Sequence, residues 1–436
     1  MTNRSTPTRR RLLAALAIAV VPIAGTISPA TAAGAITATT AASAIAAAGG
    51  SSAAAPPYRP ELPKPTGKSA IGSTELHLID RSRPNPWTNA GKRELMTTVW
   101  YPAVPGANGP RAPYAPAKVA PLLAADLTQF LQLPADRLDY ATVRTHARTG
   151  VPALGRHPVV LYSPGFGTSR LLGTNQVEEL VSRGYVVVTM DHPGEAPVEF
   201  PGGRVHPVQL PPDPAGMIKK AMGIRGADTR FVLDELERLA AGRNPDVNGR
   251  ALPRGLGRAL DLRRIGMFGY SAGGFAAAET MLVDRRLDAG VNLDGTMMYD
   301  LQTQELSPVA KLGLDRPFLL FGADKHTHLP IPGHPLDDPA WTSFWWHQRG
   351  WKLDLNIPQG THGSFADYQF SLPGLARANG LPAETVTEAL GKVDPAGSVR
   401  AQRAYLGAFF ERFLKGRPQP LLWGPSPAHP EVRFVF

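Results

Sequence analysis

The sequence predicts one α/β domain, with a mostly parallel sheet flanked by helices. Three observations predict it. Short, nearly uninterrupted apolar runs recur, as at 158–163 and 185–190, and such runs suit strands covered on both faces rather than half-exposed ones. Stretches with helical periodicity lie between them, and alternating strands and helices build a parallel sheet with helical layers. At one strand-to-helix junction stands a serine flanked by glycines, Gly269-Tyr270-Ser271-Ala272-Gly273.

The elements follow in order. The segments 75–80 and 95–101 read as an opening pair of strands with turn residues between them. The segment 103–155 is long, Pro-rich and partly helical, and both a cap over a pocket and a decorated crossover fit it. A strand at 158–163 runs into Pro164-Gly165-Phe166-Gly167, a helix spans 174–182, and a strand follows at 185–190. A helix at 224–240 aligns Phe231, Val232, Leu236 and Leu239 on one face. Strands at 265–268, 290–293, 317–321 and 351–357 come next, and a helix at 399–414 carries the last apolar face. No internal repeat is visible.

The N-terminus reads as an address. Arg9-Arg10-Arg11 precedes an apolar stretch from Leu12 to Val21, and Ala30-Thr31-Ala32 supplies the small-x-small pattern of a cleavage site. About ten apolar residues are too few to span a bilayer, which takes roughly twenty. Residues 1–32 are therefore expected to be a twin-arginine export signal, and the protein to be secreted or extracytoplasmic. Residues 33–70, mostly Ala, Gly, Ser, Thr and Pro, are expected to be a disordered linker, because they offer little apolar surface to offset ordering entropy. The catalytic domain is expected over 71–436.

Composition narrows the function classes. There is no cysteine, which excludes disulfides, thiolate metal sites and cysteine nucleophiles. The net charge is +10, but four arginines fall in the first eleven residues and no acid precedes Glu61. What remains is spread without basic runs, so no nucleic-acid partner is expected.

The chemistry points to Ser271. A G-x-S-x-G between strand and helix is the pattern of a nucleophile elbow. The chain turns so sharply that side chains two residues either side of the serine would collide, and the serine is left at a helix N-terminus, where negative charge is favoured. A serine hydroxyl needs a base, and the base needs an orienting acid. His362, in a Gly-flanked loop after the last strand, is the expected base; His326, His328, His334, His347 and His429 are the downstream competitors. Asp294 and Asp324 each end a strand between Ser271 and His362, with Asp294 preferred. Backbone N–H groups of Ala272 and Phe166 are the expected oxyanion hole. His326 and His328 lack a supporting carboxylate or cysteine cluster, so no metal and no cofactor are expected. The aromatic stretch from Trp341 to Trp351 fits core packing best, with a substrate wall or lipid anchor as the other options.

Several of these segments resemble the plasma-type platelet-activating factor acetylhydrolases: 97–102, Leu161-Tyr-Ser-Pro-Gly-Phe-Gly167, 180–188, Gly269-Tyr-Ser-Ala-Gly-Gly274, Leu293-Asp294-Gly295 and Gly360-Thr-His362-Gly-Ser-Phe-Ala-Asp367. The resemblance covers roughly 75–414. It implies an α/β-hydrolase fold, a Ser-His-Asp triad with the acid at Asp294, and hydrolysis of short acyl esters such as sn-2 acetyl phospholipids. Pro164 departs from the His of the animal enzymes, and Ser-Pro-Gly-Phe also resembles bacterial lipases and cutinase-like polyesterases. The expected partner is a small-molecule or lipid ester, with transient lipid-surface contact an option. The alternatives are a lipase or polyesterase, or a non-catalytic surface binding protein on the same fold.

Overall fold

The computed structural model describes residues 56–436 except Lys325 and 334–336. The expected signal at 1–32 and the linker residues 33–55 lie outside the described residues. The linker assignment fails at its C-terminal end. Tyr58 exchanges backbone hydrogen bonds with Arg137 and Asp139, and Leu62 is buried. Thr66 donates from both its N–H and its hydroxyl to Glu179, while Arg403 donates to the carbonyls of Pro63 and Lys64. Composition alone misses this, because Tyr58 and Leu62 are the segment's few apolar anchors and the rest is held by buried charged groups elsewhere in the chain.

The strands of the main sheet are β1 (Ala70–Pro84), β2 (Lys92–Ala103), β3 (Arg111–Pro113), β4 (Arg144–Thr149), β5 (His157–Ser163), β6 (Val186–Met190), β7 (Leu260–Tyr270), β8 (Ala289–Leu293), β9 (Phe318–Ala323), β10 (Lys352–Ile357) and β11 (Arg433–Val435). Their order among the described residues is β11-β10-β9-β8-β7-β5-β6-β2-β1-β4-β3. From β10 to β6 every neighbouring pair is parallel. β2 joins β6 antiparallel, β1 pairs antiparallel with β2, and β11 closes the other edge antiparallel to β10.

Among the described residues, the helices of eight residues or more are α1 (Ala120–Phe130), α2 (Thr174–Ser182), α3 (Met217–Ala240), α4 (Ala272–Val283), α5 (Pro339–His347), α6 (Tyr368–Ala378), α7 (Ala383–Leu390) and α8 (Pro395–Lys415). Helix α3 begins a turn and more before the expected 224, since Gly223 and the pair Lys219-Lys220 obscure the apolar face that Met217, Ala221 and Met222 bury. Strand β11, helices α6 and α7, and strands β3 and β4 are not apparent in the sequence pattern; β3 and β11 span three residues each, and α6 contains Pro373.

Alternation along each strand feeds two cores. Val159 and Leu161 point to the side covered by α3, α4 and α5; Val160 and Tyr162 point to the side covered by α2 and α8. Burial on both faces explains why these strands read as continuous apolar runs. The 103–155 segment adds β3 and β4 to one sheet edge, and its helix α1 shares a third core with α6 and α7. In the aromatic stretch, Trp341 and Phe344 are core while Trp346 is exposed.

Candidate active site

The turn at Ser271 is enforced by sterics. Ser271 has φ 55° and ψ −124°, a conformation that costs a non-glycine residue energy and that only surrounding packing sustains. A Cβ on Gly273 would lie 1.9 Å from the Ser163 carbonyl oxygen, and one on Gly269 would lie 2.2 Å from the Gly273 carbonyl carbon. Only glycine lets β5, β7 and the start of α4 approach this closely. The Ser271 N–H donates to the Leu293 carbonyl at 2.8 Å, which ties the turn to the end of β8.

His362 follows β10 and opens a short 3-10 turn, His362–Phe365. Thr361 and Ser364 cap that turn reciprocally and donate their hydroxyls to the carbonyls of Ala389 and Leu390 at the end of α7, 2.6 Å each. The Tyr270 ring lies against the imidazole, with ring centroids 4.8 Å apart. His362 Nε2 is 3.0 Å from Ser271 Oγ, and its Nδ1 is 2.6 Å from Asp294 Oδ2. Facing an ionised carboxylate, Nδ1 carries the proton, so Nε2 is free to accept from the serine hydroxyl.

Asp294 is fully enclosed after β8, at φ 60°. Its Oδ1 accepts from the Ala323 N–H at 2.6 Å and faces His326 Nδ1 at 3.0 Å. Burial pushes this carboxyl up, but His326 and His362 beside it outweigh burial and hold it well below the usual carboxylate range. The acid loop is clamped as well. Asn292 pairs with both the N–H and the carbonyl of Gly295, and the Trp341 indole N–H donates to that carbonyl at 2.8 Å. Asp324 is exposed at the end of β9, and the carboxylate that meets the imidazole is that of Asp294.

The structure thus brings together Ser271, Asp294 and His362 at the C-terminal end of the sheet. Ala272 opens α4, so its N–H is one of those a helix leaves without an internal partner. Phe166 lies in the turn after β5 that abuts α4.

Asp294, His326 and His362 also place one donor atom each within 4.8 Å of one another, the separation of a metal shell. Both carboxylate oxygens are already engaged by the two imidazoles, so the trio works as a hydrogen-bonded unit. His328 points elsewhere, bonding Asp354 at 2.7 Å and stacking on Trp345.

No family model matches the chain. A protein of Arthroderma benhamiae described as a "probable 1-alkyl-2-acetylglycerophosphocholine esterase" is 32% identical over 298 residues, which is 64% of this chain and 66% of that protein. The solved ferulic acid esterase of Streptomyces cinnamoneus is 38% identical, superimposes with a TM-score of 0.69, and covers 86% of this chain and 99% of its own. The chain belongs to the α/β-hydrolase esterases. Within this esterase site, four residues escape sequence reasoning as contributors: Tyr270, Asn292, His326 and Trp341. His326 is visible only as a competitor for the role of base, and the others look like elbow, strand and core residues. Asn292 bonds Gly295 across the turn that follows β8, whereas His326 and Trp341 reach the acid loop from beyond β9 and Tyr270 meets His362 from β7, so no spacing rule links these three to Asp294.

Proposed function

We propose that the chain hydrolyses carboxylic esters through an acyl-enzyme on Ser271. The observation that carries this is the continuous relay from Ser271 Oγ to His362 Nε2 at 3.0 Å and from His362 Nδ1 to Asp294 at 2.6 Å. In this reading His362 takes the serine proton as Oγ attacks the ester carbonyl, and Asp294 holds the imidazole and stabilises the imidazolium. The N–H groups of Ala272 and Phe166 receive the oxyanion, aided by the N-terminus of α4. The imidazolium then protonates the departing alkoxide. A water deprotonated by His362 attacks the acyl group and regenerates Ser271, releasing the carboxylic acid.

For the substrate, we propose short acyl esters of the sn-2 acetyl phospholipid type, supported by the motifs at Ser271, Asp294 and His362 and by the description of the Arthroderma relative. In this reading the size of Phe166, which packs partly buried against the core, would limit room near the carbonyl. A feruloyl ester is the competing reading, supported by the identity to the Streptomyces esterase. We also propose twin-arginine export, on the pattern at 1–32.

Three measurements test this. An organophosphonate should label Ser271 alone, and Ser271→Ala should fold normally yet lose activity by several orders of magnitude. Across a panel of esters, kcat/KM should peak at two to four acyl carbons, with the sn-2 acetyl phospholipid preferred over methyl ferulate. A longer acyl channel would instead gain up to about 0.8 kcal/mol per buried CH₂, roughly fourfold per carbon. A steady rise to C12, or a preference for the feruloyl ester, would reject the short-acyl assignment and keep the esterase.

A further inference from the structure

Beneath the loop that carries Phe166 lies a fully enclosed polar network. Ser163, His192 and Asp228 repeat the residue types of a triad, with Ser163 Oγ 2.9 Å from His192 Nε2 and His192 Nδ1 3.0 Å from Asp228. All three are buried, so no ester can reach Ser163. The serine is an anchor, and what it anchors is Arg225.

Arg225, on α3, has no solvent exposure, and all five of its N–H donors are accounted for. Nε and Nη2 donate to Glu195, Nη1 to Ser163 Oγ at 3.1 Å and to the Pro164 carbonyl at 2.5 Å, and Nη2 to the Gly165 carbonyl at 3.0 Å. Because Ser163 Oγ accepts from Arg225, its own proton goes to His192 Nε2. His192 Nδ1–H then donates to Asp228, which Arg93 and Arg83 also hold. Every bond in this chain runs in one direction, so the network has a single arrangement.

The consequence lies in one peptide plane. In a trans peptide the carbonyl and the N–H point in opposite directions. The Gly165 carbonyl and the Phe166 N–H belong to the same unit. With that carbonyl turned inward onto Arg225, and taken also by the Thr168 hydroxyl at 2.9 Å, the Phe166 N–H is turned outward. The loop also touches the elbow itself: the Pro164 oxygen lies 2.8 Å from where a Gly273 Cβ would be, and a Gly165 Cβ would lie 3.0 Å from the Tyr270 ring.

We infer that Arg225 is a positioning residue for the oxyanion hole: by holding the Pro164 and Gly165 carbonyls it aims the Phe166 N–H at the oxygen that forms over Ser271. The inference rests on the esterase reading above. It predicts an effect on transition-state binding rather than on substrate binding or on the base.

The test compares wild type with Arg225→Lys, which keeps the charge but loses the planar fork, and with Glu195→Gln, which keeps Arg225 but loosens its orientation. Active sites are counted by end-point phosphonate titration, and kinetics with p-nitrophenyl acetate are expressed per titrated site. For Arg225→Lys, kcat should fall about 10²-fold, as expected for misaiming by about an ångström. KM should stay within about threefold, and the apparent pKa of the kcat/KM profile should not move. A boronic acid inhibitor should weaken in step with kcat. Glu195→Gln should show the same pattern, reduced to about tenfold. If Arg225→Lys does not fold, Glu195→Gln decides alone. Full kcat per site with unchanged boronate affinity, or a shifted pH profile in place of a kcat loss, overturns the inference. A wild type that neither turns over p-nitrophenyl acetate nor takes the phosphonate label overturns the esterase reading instead.

Discussion

Asp294 and Asp324 end neighbouring strands, and both sit at positive φ, 60° and 50°. Burial and direction separate them. Asp294 is enclosed, with one oxygen on His362 and the other on His326 and the Ala323 N–H, whereas Asp324 is exposed. If Asp294 orients the base, Asp294→Asn should lower kcat by about 10⁴, the cost of the matching change in a serine protease. Asp324→Asn should change it by less than about threefold, and steady-state kinetics on the two variants check the ranking. The same carboxylate carries a pH signature. Its folded pKa is depressed, chiefly by His326 and His362 overcoming burial, so its contribution to stability is complete above the ordinary Asp pKa near 4. That contribution is lost as pH falls from there through the folded value. The melting-temperature gap between wild type and Asp294→Asn should therefore narrow below about pH 4. A gap constant from pH 7 to pH 3 would show that the pairing contributes no pH-dependent stability.

At the scale of elements, the junction of β7 with α4 shows why a pattern of small residues was readable from sequence. Gly269 and Gly273 are where the turn brings backbone against backbone, so any Cβ must displace main chain rather than a flexible side chain. Gly273→Ala should destabilise by about 1–3 kcal/mol or more and also disturb Ser163 and Pro164, lowering activity. A methyl group added at Gly223, inside α3, would meet nothing within 4 Å beyond its own stretch of helix. Gly223→Ala should accordingly stabilise by about 0.5–1 kcal/mol through helix propensity. Thermal unfolding of both variants beside wild type gives the contrast, and a destabilised Gly223→Ala would mean that α3 needs its glycine for another reason.

For the whole molecule, the unexpected participant is the segment 56–69. It satisfies Glu179 and Arg403, both buried, and Gly67 donates to Ser182 Oγ at 3.0 Å, so it fastens α2 to α8 from outside the sheet. Removing it leaves two buried charged groups short of partners, at about 1–3 kcal/mol for each group orphaned. A chain beginning at Ala70 should melt well below one beginning at Pro56, with the sheet still formed by circular dichroism. Equal melting temperatures would return this segment to the role of a linker.

By itself the sequence determined the features that depend on neighbours along the chain. The apolar runs of β5 to β10, the two helical faces that cover them, and the glycine pattern around Ser271 are local, because strand burial, helix period and elbow sterics each act over a few residues. His362 was legible for a related reason: a histidine in a glycine-flanked loop after the last parallel strand has a place in the order of elements. The choice between Asp294 and Asp324 was not local, and only the tertiary structure showed which carboxylate the imidazole meets. The same holds for His326, Trp341, Asn292 and the Arg225 network. Their partners lie tens of residues away or more, or on a loop turned back against its own strand, and hydrogen-bond direction is decided by packing rather than by spacing. Composition likewise misjudged 56–69, since a segment poor in apolar residues can still be ordered when buried charges elsewhere in the fold need its backbone.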